Sequence, residues 1–201
     1  MKLLLATHNR NKIIEIENKF NIIPDLELLT ADIYPDLKDI PENGESFKEN
    51  AIIKALAFTR HSGLPSLADD SGLVIDALDG RPGIYSARYG GKGLNDTDRN
   101  RLILEEMKDV EKDKRTARFV CVVAICIPDG NTYTAEGSCE GIIHDTISGE
   151  QGFGYDPIFY LLDHGCTMAQ IPLSEKNMIS HRAAALDRAR KILIELAGIY
   201  S

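Results

Sequence analysis

The stretch KLLLATHNRNKIIEIENKF, residues 2–20, places a short apolar run directly before an amphipathic segment. The run KLLLAT is typical of a buried strand, and residues 10–20 carry apolar side chains at helical spacing. Asn9 stands just before that segment, where a helix-capping side chain is expected. A second apolar run, LELLTA at 26–31, predicts another strand. A strand, a helix and a strand in this order indicate an α/β fold.

A second helix is predicted at 46–63, after a polar loop with two prolines at 32–45. Ser46 and Glu49 have the spacing of a capping box, in which each side chain bonds the backbone amide of the other. Gly63 is expected to end this helix, because glycine readily adopts the left-handed conformation of a helix terminus.

The second half of the chain predicts a hairpin between two further helices. The hairpin covers 116–143 with its turn at 128–131, and it makes the predicted sheet mixed rather than purely parallel. The helices are predicted at 95–109 and 180–198, with Gly198 as the stop of the last one. One buried stripe is expected on that last helix: Leu186, Ala189, Leu193 and Leu196.

Length and composition limit the function classes. The 201 residues suit one domain, 1–201, or a compact pair of lobes, and the net charge of −8 argues against broad attraction to nucleic acid or to an anionic membrane. The four cysteines contain no C-x-x-C pair, so buried free thiols in a reducing cytoplasm are expected. No signal-peptide cleavage site or bilayer-spanning apolar run is evident, which predicts a soluble protein that is not exported.

Two adjacent carboxylates interrupt an otherwise apolar strand pattern in SLADDSGLVIDAL, residues 66–78. One interpretation is a turn, since Asp69, Asp70 and Ser71 can bond nearby backbone groups and Gly72 supplies a permissive backbone. The other interpretation is a functional site, in which these acids bind a cation.

Glu42 and Lys54 suggest what such a site would do. Glu42 lies in the loop PENGE, and together with the two aspartates it offers the oxygen ligands that Mg²⁺ prefers. Lys54 lies one helical turn after Asn50, on the same face of the second helix. Acidic groups for a metal and basic groups for phosphate are the components of a phosphoryl-transfer site.

Two predicted helices begin with basic side chains, although the helix dipole favours anions at this end. The first begins NRNK (9–12) and the last begins SHR (180–182). Lys12 and Arg182 could simply extend into solvent, or both helix starts could bind one anion, with phosphate as the obvious candidate. Neither a P-loop motif nor a dinucleotide-binding glycine motif is present.

The segment GEQGFGYDPIFY, residues 149–160, combines three glycines with aromatic residues and a carboxylate. We expect a turn that exposes Phe153 and Tyr155 beside Asp156, which is suited to stacking a nucleobase and bonding its edge. The alternative is a plain connection between strands with both rings in the core.

Taken together, six ordered blocks resemble the inosine/xanthosine triphosphate pyrophosphatase family. The likeness covers nearly the whole chain, and six blocks in order are far more specific than any one of them. The blocks are THNRNK (7–12), SFKENAIIKA (46–55), LADDSGLVIDAL (67–78), GRPGIYSARY (80–89), GFGYDPIF (152–159) and EKNMISHRAAAL (175–186).

The resemblance implies a two-lobed α/β fold, with a long mixed sheet, flanking helices and a central cleft. It implies a Mg²⁺-dependent, cytoplasmic homodimer that hydrolyses noncanonical purine nucleoside triphosphates (ITP, dITP and XTP) to monophosphate and pyrophosphate. The nearer alternative is a pyrophosphatase for modified pyrimidine nucleotides, as in the similarly folded septum-inhibitor family. The farther alternative is a nucleotide sensor without turnover.

Site residues follow from the same resemblance, position by position. Glu42 and Asp70 are implied to bind the metal, and Asp70 is also the implied proton acceptor. Many family members carry glycine where this chain has His8. The resemblance and the charges of the site together predict these substrate-binding residues: Thr7, His8, Asn9, Arg10, Asn11, Lys12, Lys54, Ser71, Phe153, Gly154, Tyr155, Asp156, Lys176, His181 and Arg182.

Overall fold

The computed structural model describes residues 1–37 and 40–199. Its strands are β1 Lys2–Leu5, β2 Glu27–Thr30, β3 Ser66–Ile75, β4 Thr116–Cys126, β5 Thr132–Ile143, β6 Phe159–Leu161 and β7 Cys166–Thr167. Its α-helices are α1 Arg10–Phe20, α2 Phe47–Ser62, α3 Asp96–Glu106, α4 Leu173–Ile179 and α5 His181–Ile199. Short 3₁₀ turns occupy part of the predicted 32–45 loop, whose residues 38 and 39 lie outside the described residues.

The strands form one mixed sheet in the order β2-β1-β3-β4-β5-β6-β7. Strand β1 pairs in parallel with both β2 and β3. Strand β6 pairs antiparallel with both β5 and β7. The prediction of an α/β fold with a mixed sheet is therefore confirmed.

The chain divides into two compact units. Unit 1 comprises Met1–Asp70, Cys121–Gly137 and His181–Ser201, and unit 2 comprises Ser71–Val120 and Ser138–Ser180. Three of the four boundaries between the units fall inside strands β3, β4 and β5, and the fourth falls between α4 and α5. That 1–201 acts as one domain stays a prediction.

In unit 1, alternate residues of each strand enter different apolar clusters, because successive side chains of a strand point to opposite faces. Leu67 of β3 packs with residues of α1 and α5, and the next residue, Ala68, packs with residues of α2. The predicted stripe of α5 is buried in the first of these clusters, so that prediction is confirmed.

The start of α5 lies close to β5 at Gly137. A Cβ atom at this position would overlap the carbonyl oxygen of His181 and the amide of Ala185, so only glycine permits this approach. The predicted end of α5 was wrong: the helix runs through Gly198 to Ile199. Glycine in a helix costs only about 1 kcal/mol relative to alanine, so the helix can include Gly198.

The caps of α1, α2 and α3 show which local signals were correct. Asn9 caps α1 and Gly63 ends α2 with φ 69°, as predicted. The predicted capping box of α2 is only half formed, because Ser46 accepts from the Glu49 amide while the Glu49 carboxylate accepts from Glu45 N–H. A complete capping box begins α3, between the residues Asn95 and Asp98.

The four cysteines are free thiols, as predicted. Cys121 and Cys126 are buried, whereas Cys139 and Cys166 are only half-buried. Over residues 1–37 and 40–199, the structure has no helix that combines the length and the apolarity needed to cross a bilayer.

Candidate active site

The two adjacent aspartates lie within strand β3 and not in a turn. Asp69, Asp70, Ser71 and Gly72 all lie inside this ten-residue strand, and Gly72 has no left-handed backbone. The turn interpretation of this stretch was therefore wrong. Because neighbouring side chains of a strand point to opposite faces, Asp69 and Asp70 lie in different surroundings within unit 1.

Asp69 is the centre of a buried charge cluster. Its Oδ2 lies 2.9 Å from Lys12 Nζ and 3.1 Å from Arg182 Nε. Arg182 also donates through Nη1 to Glu15, and Asp69, Glu15 and Arg182 are all at most 5% exposed. Burial opposes ionisation of Asp69, but the charges of Lys12 and Arg182 hold its pKa well below the usual range.

This cluster explains the basic residues at the two helix starts. Lys12 belongs to the first turn of α1 and Arg182 to the first turn of α5. The interpretation that both extend into solvent was wrong, because Arg182 is buried and the Lys12 side chain is only 15% exposed. Lys12 and Arg182 pair with the same anion, and that anion is the Asp69 carboxylate of the protein itself.

The loop before α1 is organised by its own side chains. Asn9 Oδ1 accepts from the amides of Asn11 and Lys12 at 3.0 and 3.3 Å, and Thr7 Oγ1 accepts from Asn9 N–H. Asn9 and the first two residues of α1, Arg10 and Asn11, are exposed.

His8 lies on the inner side of this loop. Its ring approaches Phe58, and its Nδ1 lies 3.7 Å from Asp32 Oδ1. Its Nε2 is buried without a hydrogen-bond partner within the described part of the chain. The imidazole thus packs against α2, beside Phe58.

Lys54 of α2 lies between the two predicted metal ligands. Its Nζ is 2.7 Å from Glu42 Oε1 and 3.4 Å from Asp70 Oδ1. Burial alone would lower the pKa of Lys54, but the charges of Asp70, Asp69 and Glu42 together raise it. Lys54 is therefore charged at neutral pH and neutralises part of the acidic pair.

Asp70 has the properties expected of a cation ligand and a proton acceptor. Burial raises its pKa, although Lys54 acts in the opposite direction. Its Oδ2 is buried and forms no hydrogen bond with any described residue. The carboxylates of Glu42 and Asp70, one of which has a buried oxygen without a described hydrogen-bond partner, fit Mg²⁺. Proteins often hold this ion with one or two carboxylates, while water and phosphate complete the octahedron.

The loop that carries Glu42 is tied to α2 by Asn50. Asn50 is fully buried, and its Oδ1 accepts from Gly44 N–H at 2.9 Å. The Asn50 amide thus holds the loop near the helix turn that contains Lys54.

Unit 2 contains the predicted aromatic platform. Asp156 Oδ2 accepts from Phe153 N–H at 2.9 Å and from Lys176 Nζ at 2.6 Å. The Lys176 ammonium also lies 4.5 Å from the centre of the Phe153 ring, a cation–π contact. Gly152 has φ 76°, and a Cβ there would overlap the Asp156 carboxylate, so the turn requires glycine at this position.

Tyr155 does not expose its ring, and that prediction was wrong. The ring is buried in the apolar core of unit 2, and its hydroxyl donates to Ser86 O at 2.9 Å. Ser86 Oγ in turn accepts from Leu73 N–H. Phe153 is half-buried and is the more accessible of the two rings in this turn.

Sequence reasoning missed three residues that support these clusters. Glu15 stands within the buried face of α1, and a carboxylate among apolar positions was the available signal. Asp96 and Asn100 of α3 bond the backbone of Gly154, and no local pattern indicated that contact.

The chain matches a known protein family over nearly its whole length. A model of the Ham1 family matches residues 3–192. The chain belongs to the Ham1 family. The family match spans both units of this Ham1 chain and contains every candidate residue named above.

Relatives of this Ham1 chain have a named activity. A protein named dITP/XTP pyrophosphatase from Geobacter sulfurreducens is 46% identical over 185 residues, which cover 92% of each chain. A protein of the same name from Listeria monocytogenes is 44% identical, and the match covers 97% of this chain and 96% of the relative.

Solved structures show the same fold. A HAM1 protein from Coxiella burnetii superposes with a TM-score of 0.89 at 38% identity, covering 97% of this chain and 99% of that chain. The Ham1 protein of Staphylococcus aureus gives a TM-score of 0.87 at 37% identity, covering 96% and 98%. The resemblance predicted from the sequence is thereby confirmed.

Proposed function

We propose that this Ham1 chain hydrolyses the noncanonical purine nucleoside triphosphates ITP, dITP and XTP to monophosphate and pyrophosphate. The observation that carries the proposal is Lys54 between Glu42 and Asp70, the lysine and the two acids needed for a metal-bound triphosphate. The names of its relatives, dITP/XTP pyrophosphatase, support the substrate class. We further propose that the enzyme works as a cytoplasmic homodimer.

The charge of the triphosphate must be neutralised before water can attack it. Glu42 and Asp70 would hold Mg²⁺, which when bound withdraws charge from the phosphate oxygens. Lys12 and Lys54 bind the remaining oxygens, together with the exposed side chains of Arg10 and Asn11. Asp69 keeps Lys12 at the start of that helix, at 2.9 Å from its own carboxylate.

Asp70 acts as the general base. It takes a proton from water, the water oxygen bonds to the α-phosphorus, and the bond from that phosphorus to the α,β-bridging oxygen breaks. Pyrophosphate leaves with the electron pair of that bond. A pKa raised by burial suits this role, because a base works best when its pKa approaches the working pH.

The base is recognised by stacking and by hydrogen bonds. Phe153, held by Asp156 and Lys176, offers the stacking face in unit 2. His181 and Arg182 are proposed to donate to the 6-oxo group of hypoxanthine or xanthine. Because Arg182 already pairs with Asp69 and Glu15, we assign it a supporting role as well.

The test is product analysis over a panel of triphosphates. The panel contains ITP, dITP, XTP, ATP, GTP and a modified pyrimidine triphosphate, each with Mg²⁺. We expect pyrophosphate and monophosphate from the first three, and no turnover after chelation. Orthophosphate release would indicate attack at the γ-phosphorus, preference for the pyrimidine would indicate the related pyrophosphatase class, and binding without turnover would indicate a sensor.

A further inference from the structure

Helix α3 holds both polar groups of one peptide residue in unit 2. Asp96 Oδ2 accepts from Gly154 N–H at 2.9 Å, and Asn100 Nδ2 donates to Gly154 O at 3.0 Å. Asp96 and Asn100 are four residues apart in α3, so they lie on the same helix face. Glycine occupies the held position with φ 65°, in the left-handed region.

The held residue lies between Phe153 and Asp156. On the inner side of this turn, Asp156 bonds the Phe153 amide and Lys176. On the other side, Gly154 is bonded only by α3 in the part of the chain that the structure describes. The backbone that carries the Phe153 ring is therefore held by two sets of bonds, one to Asp156 and one to α3.

The burial of Asn100 indicates that this contact is maintained at a cost. Asn100 is 2% exposed, and its Oδ1 has no hydrogen-bond partner among residues 1–37 and 40–199. A buried amide with one unsatisfied atom destabilises a fold, whereas an apolar residue would not. The bond that Asn100 does form is the one to Gly154.

We propose that Asp96 and Asn100 are positioning residues, which clamp Gly154 and thereby orient Phe153 for stacking on the purine. The role in base binding depends on the proposed function, but the clamp itself does not. Neither residue belongs to the six motif blocks, and α3 lies in a segment to which the sequence assigned no function.

The experiment compares variants of the full chain by two measurements. The first is the hydrogen-exchange rate of the Gly154 amide by NMR, and the second is kcat and KM for ITP. Asp96→Ala removes the acceptor and should raise both the exchange rate and KM by about tenfold, with kcat changed less than about threefold. Asp96→Asn keeps an acceptor oxygen and should restore KM to within about threefold of the wild type.

Asn100→Leu removes the donor at similar volume and should also raise KM by about tenfold. Asp96 is exposed, so its variants decide the question if Asn100→Leu does not fold. The matched control is Asn95→Ala, which removes the cap of α3 but no bond to Gly154. It should lower the melting temperature by several degrees and leave KM unchanged.

Unchanged exchange at Gly154 in Asp96→Ala would overturn the clamp. Faster exchange with an unchanged KM would overturn its role in base binding. An equal rise of KM in Asn95→Ala would also overturn that role, because loss of helix stability would then explain the effect. A wild-type chain that hydrolyses no purine triphosphate would refute the proposed function, and the exchange measurement would still decide the clamp.

Discussion

Arg182 donates through Nε to Oδ2 of Asp69 at 3.1 Å, although 113 positions separate them in the sequence. The contact joins the first turn of α5 to the middle of β3, and Lys12 joins α1 to the same oxygen. Asp69 is thus a structural anion for two cations, and its neighbour Asp70 is the carboxylate that we propose for metal and water.

Asp69→Asn should strongly destabilise the chain. The substitution leaves Lys12 without its buried carboxylate partner and Arg182 with Glu15 alone, and the expected loss in the free energy of unfolding is about 3–5 kcal/mol. Urea denaturation measures it. Asp187→Asn is the control, because it breaks the pair of Lys19 with a 43% exposed carboxylate and should cost less than about 1 kcal/mol. Equal effects would show that burial of the Asp69 pair is unimportant.

The acid dependence of stability should change in the same variant. Burial of Asp69 raises its pKa, but the charges of Lys12 and Arg182 outweigh that effect, so its pKa is lower in the folded chain than in the unfolded chain. As the pH falls, Asp69 is therefore protonated in the unfolded chain before it is protonated in the folded chain. The stabilisation is complete above the unfolded value of about 3.9 and is lost as the pH falls towards the folded value. The wild type should therefore lose stability below about pH 4 more steeply than Asp69→Asn. Parallel curves would contradict this assignment.

Asp70→Asn should abolish catalysis without unfolding the chain. It removes the base, which typically costs about 10²- to 10⁴-fold in kcat, together with one metal ligand. Initial rates of pyrophosphate release from ITP measure the loss. Asp76→Asn is the control on the segment that follows β3, since Asp76 pairs with Thr116 and Arg118 and should leave kcat unchanged. Near-normal turnover of Asp70→Asn would show that Asp70 is not the general base and has only a structural role.

Lys54→Met should strengthen Mg²⁺ binding while weakening triphosphate binding. The Lys54 ammonium pairs with both Glu42 and Asp70, so its removal leaves the two carboxylates without a compensating positive charge. Calorimetry without nucleotide should show Mg²⁺ bound about tenfold more tightly, whereas KM for ITP rises about tenfold or more. Lys48→Met, an exposed position on the same helix, should change neither value. Weaker Mg²⁺ binding in Lys54→Met would contradict the competition between lysine and metal.

Base selectivity should separate stacking from hydrogen bonding. Phe153→Ala should raise KM similarly for ITP and ATP, because every purine has a similar stacking face. His181→Ala should also lower the ratio of kcat/KM for ITP to kcat/KM for ATP, since adenine carries an amino donor where hypoxanthine has the 6-oxo acceptor. Arg182→Ala should narrow the ratio too, but it also breaks the bonds to Asp69 and Glu15. An unchanged ratio in His181→Ala would exclude the proposed contact with the base edge.

The amino-acid sequence by itself determined the elements and the family. Asn9 and Gly63 marked helix ends, and the hairpin at 116–143 was apparent from two apolar runs around a turn. These features depend on residues a few positions apart, so local patterns are sufficient. The six ordered blocks indicated the family because each block is a run of consecutive residues. The match to the Ham1 family confirms that resemblance.

Only the tertiary structure decided which charges are paired. The contacts of Asp69 with Lys12 and Arg182, and of Gly154 with Asp96 and Asn100, join residues far apart in the sequence. They depend on strand register and on the face to which each side chain points, and neither is encoded in local spacing. The same reason places Tyr155 in the core and leaves Phe153 accessible, because the fold of the turn, not the order of its residues, decides which ring is covered.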